Sequence, residues 1–115
     1  VYVSNHGGRM VDQGLSTIEA LAEVVEAVGP GAEVAVDSGF TRGAEVCKAL
    51  ALGARAVGIG RLQCWGLAVG GAEALERVLQ ILVNEISSTM ANIGCASVAD
   101  IRPGHVRWSI ASPPT

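Results

Sequence analysis

The sequence predicts an α/β unit built from three strands, each followed by a helix, with the strands parallel and adjacent. Three observations point there. Short apolar runs alternate with helical periodicity in the order β-α-β-α-β-α through short connections, and right-handed crossovers then lay consecutive strands side by side and parallel. Half of the 115 residues are apolar while aromatics make up only 3%, which suits Ala-, Val-, Leu-, Ile- and Gly-rich strands covered by helices on both faces. Each strand also runs into a glycine-containing polar turn, where α/β folds place their ligands.

Taken in order, Val1 to Ser4 reads as a short buried strand and Asn5 to Gly14 as a glycine-rich loop. Ser16 opens a helix as its N-cap, with Glu19 at the capping-box position. Ile18, Leu21, Ala22, Val25 and Val28 form its apolar stripe, and Gly29-Pro30-Gly31 ends it. Residues 33–36 form the second strand, entering Asp37-Ser38-Gly39. A second helix covers about Arg42 to Leu52 and stops at Gly53. Residues 56–59 are the third strand, ending in Gly60-Arg61. A short helix is expected around Trp65 to Val69, then a long one from Ala72 to Ile93 with Leu75, Val78, Leu79, Leu82, Ile86, Met90 and Ile93 on its buried face. Residues 1–96 thus carry the βα units, and 97–115, with three prolines and mixed polarity, read as a tail. Trp108 is expected either exposed or covering an apolar patch.

Composition excludes several classes. A net charge of -3 leaves no basic patch for nucleic acid. No apolar run reaches the roughly 18 residues of a membrane span, and the start lacks the pattern of a secretory signal. Cys47, Cys64 and Cys95 are odd in number and widely spaced, which suits reduced thiols in the cytoplasm and no metal site. Cys47 and Cys95 read as small core residues, and Cys64 lies near the third turn with nothing beside it that suggests a nucleophile.

Three clusters fall at the carboxyl ends of the strands: Ser4-Asn5-His6-Gly7-Gly8-Arg9, Asp37-Ser38-Gly39-Phe40-Thr41-Arg42-Gly43, and Gly60-Arg61. Gly60 allows close backbone approach and Arg61 can grip a phosphate with two parallel hydrogen bonds; the alternative is a glycine turn beside a solvated arginine. Asp37 could bind ribityl or ribose hydroxyls, or simply cap the following helix. His6 could act as a general base, since histidine titrates near neutral pH, or could be bonded into its own loop. Arg9, three residues on, favours the first alternative, because a base beside a fork-shaped cation suits a small anion with an abstractable proton. Asp12 is assigned to ordering this loop or pairing with Arg9, and His105 to solvent.

These motifs, together with the run Lys48 to Val57, resemble the FMN-dependent α-hydroxy acid oxidases and dehydrogenases, the family of glycolate oxidase, lactate oxidase, lactate monooxygenase and mandelate dehydrogenase. The likeness runs from Val1 to about Ile101, in family order and spacing. It implies a partial TIM (β/α)8 barrel in which this chain supplies strands six to eight, since a whole barrel needs roughly 250 residues. It implies FMN as cofactor and a small 2-hydroxy acid, lactate- or glycolate-like, as substrate. His6 then corresponds to the active-site base and Arg9 to the substrate-carboxylate arginine. Ser4 lies near the flavin, Asp37, Ser38, Gly39 and Thr41 near the ribityl chain and phosphate, and Gly60 and Arg61 form the main phosphate grip. Thr41 stands where many members have arginine, so a phosphate contact passes to Arg42 or is lost. Ser38 replaces a frequent glycine, Met10 a glutamine and Leu62 a proline.

The family also draws on upstream residues, including a carboxylate that orients the histidine, which have no counterpart here. The chain opens directly on the His6 strand, so its site is expected to be completed by a missing N-terminal barrel half, or its open sheet edges to be covered by self-association into a homo-oligomer. An alternative is a truncated FMN- or phosphate-binding fragment without turnover.

Overall fold

The computed structural model describes residues 1–107. Trp108 lies outside them. Three strands, β1 (Tyr2–Val3), β2 (Ala35–Val36) and β3 (Ala56–Val57), form one parallel sheet in the order β1-β2-β3. Each ladder is two residues long, shorter than the four-residue runs expected. Flanking bonds extend it: Ala35 N donates to Val1 O at 2.8 Å, Asp37 N to Val3 O at 3.1 Å, and Gly58 N to Val36 O at 2.8 Å.

Register fixes what each face carries. Tyr2, Ala35 and Ala56 share one row; Val3, Val36 and Val57 share the next. Side chains alternate across a strand, so Ser4, Asp37 and Gly58 continue the face of Tyr2, Ala35 and Ala56. The valine face packs against helices α1 (Thr17–Val28) and α2 (Gly43–Ala51). Leu21, Val34, Val36, Phe40, Ala49 and Ala54 form the core there, with Val3, Ile18, Val25 and Val57 against it. The opposite face is open: Tyr2 is 59% exposed. Helices therefore cover one face and not both. Strands laid down in the order 1-2-3 without reversal send every right-handed crossover to the same side.

Helix boundaries follow local chemistry. Ser16 caps α1 through the expected box, Ser16 N donating to Glu19 Oε2 at 3.2 Å and Glu19 N to Ser16 Oγ at 3.4 Å. Gly29, at φ +55°, ends it. Glu45 caps α2, accepting from Thr41 N at 2.7 Å and Arg42 N at 2.9 Å. The expected short and long helices form one element, α3 (Arg61–Asn92), which starts four residues before Trp65 and breaks at Gly70–Gly71, where Gly71 takes φ +64°. Its first leg folds against its second at Gly66, whose Cβ position would lie 3.2 Å from Leu75 Cα. Leu82 is buried, but Leu79, expected on the same face, is 46% exposed.

Residues 97–107, expected as tail, are packed through two 3-10 turns, Val98–Asp100 and Pro103–His105. Ile101 and Val106 close a second core around Cys47, Ala51 and Cys95. His105 is exposed, as expected; its Nδ1 accepts from Arg102 N at 3.1 Å and lies 3.8 Å from Cys95 Sγ. Ile101 is buried and Val106 half-buried, while most of the segment's other residues are exposed. The three cysteines are free thiols. Among the described residues, no helix is long and apolar enough to cross a membrane.

Candidate active site

The carboxyl ends of the three strands converge on a cleft of about 360 Å³ lined by His6, Gly7, Arg9, Asp37, Ser38, Gly60, Arg61 and Cys64. Six of the expected site residues meet there. Ser4, Gly39 and Thr41 do not line it; Ser4 Oγ accepts from His6 N at 3.2 Å, and the Thr41 amide and hydroxyl both point to Glu45. A larger groove, about 550 Å³, lies between α2 and α3. Its Arg42 and Glu85 already neutralise one another at 2.8 Å, and Glu85 also accepts from Gly43 N at 2.7 Å. Arg42 thus pairs with α3 and does not line the cleft.

The His6 loop is a 3-10 turn (His6–Gly8) with three left-handed residues in succession: His6 at φ +56°, Gly7 at +66° and Gly8 at +77°. Ser38, at φ +75°, is the other non-glycine residue of this kind among the described residues. An L-residue in this region costs about 1–2 kcal/mol. Such strain concentrates where function over-determines the backbone. Here it is held by hydrogen bonds: His6 N donates to Ser4 Oγ at 3.2 Å, Gly8 N to Asn5 O at 3.0 Å, and Gly7 N to Ser38 Oγ at 3.3 Å.

Asp37 is the anchor beneath. Its Oδ1 accepts from Ser38 Oγ at 2.8 Å and its Oδ2 from Tyr2 Oη at 3.2 Å. Partial burial pushes its carboxyl up, but hydrogen bonds from Ser4, Ser38 and Tyr2, with the nearby charge of His6, outweigh it and hold the group below the usual carboxylate range. Asp37 does not cap α2, since Glu45 does. Thr17, 3% exposed, holds the same turn from α1: its Oγ1 donates to Asp37 O at 2.5 Å and Ser38 O at 3.1 Å.

Gly60 and Arg61 begin α3. Nothing lies within 4 Å of a Cβ built at Gly60, and Arg61 Nη2 sits 3.8 Å from where a Gly7 Cβ would be. The guanidinium thus reaches over the His6 loop. The ion pairs among the described residues are Arg42–Glu85 and Arg55–Glu33. Arg9 and Arg61 have no such partner, and the Asp12–Arg9 pair entertained from sequence is absent. The cleft therefore presents two unneutralised guanidinium groups, a histidine and one carboxylate already engaged. It suits an anion, with a base at hand.

Sequence reading missed Tyr2 and Thr17. Tyr2 carried a usable signal, lying two residues before Ser4 and so on the same face of the strand. Thr17 carried none, being one more residue in the first turn of a helix.

Comparison with known proteins identifies the family. Residues 1–108 match the family described as FMN-dependent dehydrogenase. The chain is 48% identical over 101 residues to an L-lactate oxidase from Nostoc sp., covering 88% of this chain and 28% of that protein. It is 49% identical over 109 residues to 2-hydroxyacid oxidase 2 of Homo sapiens, covering 95% of this chain and 31% of that one. The structure superposes on a soluble mutant of the membrane-associated (S)-mandelate dehydrogenase from Pseudomonas putida with a TM-score of 0.87 at 43% identity, over 93% of this chain and 30% of that one. The chain thus spans less than a third of the length of these relatives, and it belongs to the FMN-dependent dehydrogenase family.

Proposed function

We propose that this chain forms strands six to eight of a flavin barrel whose activity is the FMN-dependent oxidation of a small 2-hydroxy acid to the 2-oxo acid. The observation that carries the reading is the pairing of His6 with the unneutralised Arg9 and Arg61 around one cleft. The residues fit FMN. Open space beside Gly60, the charge of Arg61 and the start of α3 suit a phosphate dianion. Asp37 and Ser38 suit the ribityl hydroxyls. When bound, FMN supplies the two-electron acceptor.

The residues of the chain do the rest. Arg9 holds the substrate carboxylate by paired hydrogen bonds and so fixes which way the hydroxyl-bearing carbon points. A ring nitrogen of His6 accepts a proton from that centre as the substrate is oxidised. Asp37, held ionised, contributes negative potential near the imidazolium that results, although no hydrogen bond joins the two. The three free thiols support a reducing compartment, and we place the protein in the cytoplasm.

Anaerobic addition of lactate or glycolate to the flavin-loaded full-length protein tests this. Bound flavin should bleach, and His6→Ala should slow bleaching by roughly 10²- to 10⁴-fold. Bleaching at an unchanged rate would remove His6 from its role. A second reading, that the 115-residue chain binds FMN without turnover, is favoured by the open face around Tyr2. That face and the strand edges call for an N-terminal barrel half or a second copy. Quenching of flavin fluorescence by the chain, without bleaching by any 2-hydroxy acid, distinguishes it.

A further inference from the structure

Tyr2 belongs to neither the expected site nor the core. It is 59% exposed on the open face of the sheet, yet its side chain is not pointing idly at solvent. Its row neighbours, Ala35 and Ala56, are small. The ring therefore lies across β2 towards β3, and its hydroxyl meets Asp37 at 3.2 Å. There it occupies the space a side chain at residue 58 would need: a Cβ built on Gly58 would collide with Tyr2 Oη and press on Asp37 Cβ at 3.2 Å. One side chain from β1 thus touches β2 and β3 directly below the cleft.

From Asp37 the connection continues upward. The other carboxylate oxygen accepts from Ser38 Oγ at 2.8 Å, and Ser38 Oγ accepts from Gly7 N at 3.3 Å. Gly7 is the middle of the three left-handed residues that aim His6. We propose that Tyr2 is a positioning residue: its hydroxyl clamps Asp37, and Asp37, through the Ser38 hydroxyl, holds the Gly7 amide and so the His6 loop in its left-handed conformation, with glycine required at 58 to admit the clamp. The catalytic consequence rests on the function proposed above; the clamp itself does not.

The loop needs such a device. Two non-glycine residues, His6 and Ser38, sit in a region that costs each about 1–2 kcal/mol. His6 and Gly7 are both exposed, so packing does not hold them. Hydrogen bonds must, and those to an ionised carboxylate are the stronger kind.

The test uses the isotope-labelled chain and Tyr2→Phe, which removes one oxygen from an exposed ring. Two quantities are read by NMR: the titration midpoint of the Asp37 carboxyl and the exchange rate of the Gly7 amide. In Tyr2→Phe the midpoint should move up towards the ordinary carboxylate value. Gly7 exchange should rise about five-fold, the weight of one ordinary hydrogen bond. Gly58→Ala should reproduce both changes with Tyr2 still present; if it fails to fold, Tyr2→Phe decides alone. An unchanged midpoint overturns the clamp, and a shifted midpoint with unchanged Gly7 exchange overturns its transmission to the loop. FMN titration of the same samples is a separate readout. Chains that show both shifts but bind no flavin reject the functional reading and uphold the clamp.

Discussion

Thr17→Val isolates what holds the β2 rim of the site. The change is nearly isosteric, so it opens no cavity and removes only the hydroxyl. That hydroxyl is the sole protein donor among the described residues to two backbone carbonyls, Asp37 O at 2.5 Å and Ser38 O at 3.1 Å, from a residue 3% exposed. Leaving buried acceptors unpaired costs about 1–3 kcal/mol. For a chain of 115 residues, unfolding entropy of about 2.1 cal/mol/K per residue turns a loss of ~2 kcal/mol into a fall of about 8 °C in Tm. Thr17→Ser keeps the donor and loses one methyl, worth about 0.8 kcal/mol or ~3 °C. Thermal melts followed by circular dichroism at neutral pH measure both. If Thr17→Val melts no lower than Thr17→Ser, the hydroxyl does not hold the turn, and the account of how Asp37 and Ser38 are presented is wrong.

Other outcomes follow from the same geometry. Gly43→Ala would place a Cβ 2.5 Å from both Glu85 Cβ and Ile86 N; backbone cannot give way as a side chain can, so urea unfolding should show a loss of about 1–3 kcal/mol. Asp37 is held below its usual range, so its contribution is present above the unfolded carboxylate value of about 3.9 and disappears as pH falls through the lower folded value. Acid unfolding of Asp37→Asn should therefore show a shallower loss below about pH 4 than the parent, with a residual slope from Asp100, which Ser97 also holds low. Arg61→Ala should weaken FMN binding by roughly ten- to a hundred-fold, as expected for one charge-assisted contact. Arg61→Lys should recover only part of it, because an ammonium lacks the fork. Fluorescence titration reads both variants, and equal affinity across all three would exclude Arg61 from the phosphate site.

Several features were legible because their causes are local. The Ser16–Glu19 box, the stop at Gly29 and the burial of Leu21 each depend on residues within one helix of each other. His6, Arg9, Asp37, Ser38, Gly60 and Arg61 could be gathered on one rim because parallel strands put their carboxyl ends together. Features that failed to show depend on what comes near from elsewhere. Arg42 looked available for phosphate, but Glu85, 43 residues away, holds it. Residues 97–115 read as a tail because their three prolines are visible in the sequence, while the gap between α2 and α3 that Ile101 and Val106 fill is not.

Sequence by itself settled the order of strands and helices, their parallel sense and the chemical character of each strand end, since periodicity, capping and crossover handedness act at short range. Tertiary structure decided the rest. It put the crossover helices α1 and α2 on one face, turned Tyr2 from β1 across β2 onto Asp37, and, among the described residues, left Arg9 and Arg61 without an ion-pair partner while pairing Arg42. Those outcomes turn on which side chains share a face and come within about 3 Å of each other, a distance set by register and packing between segments far apart in the chain.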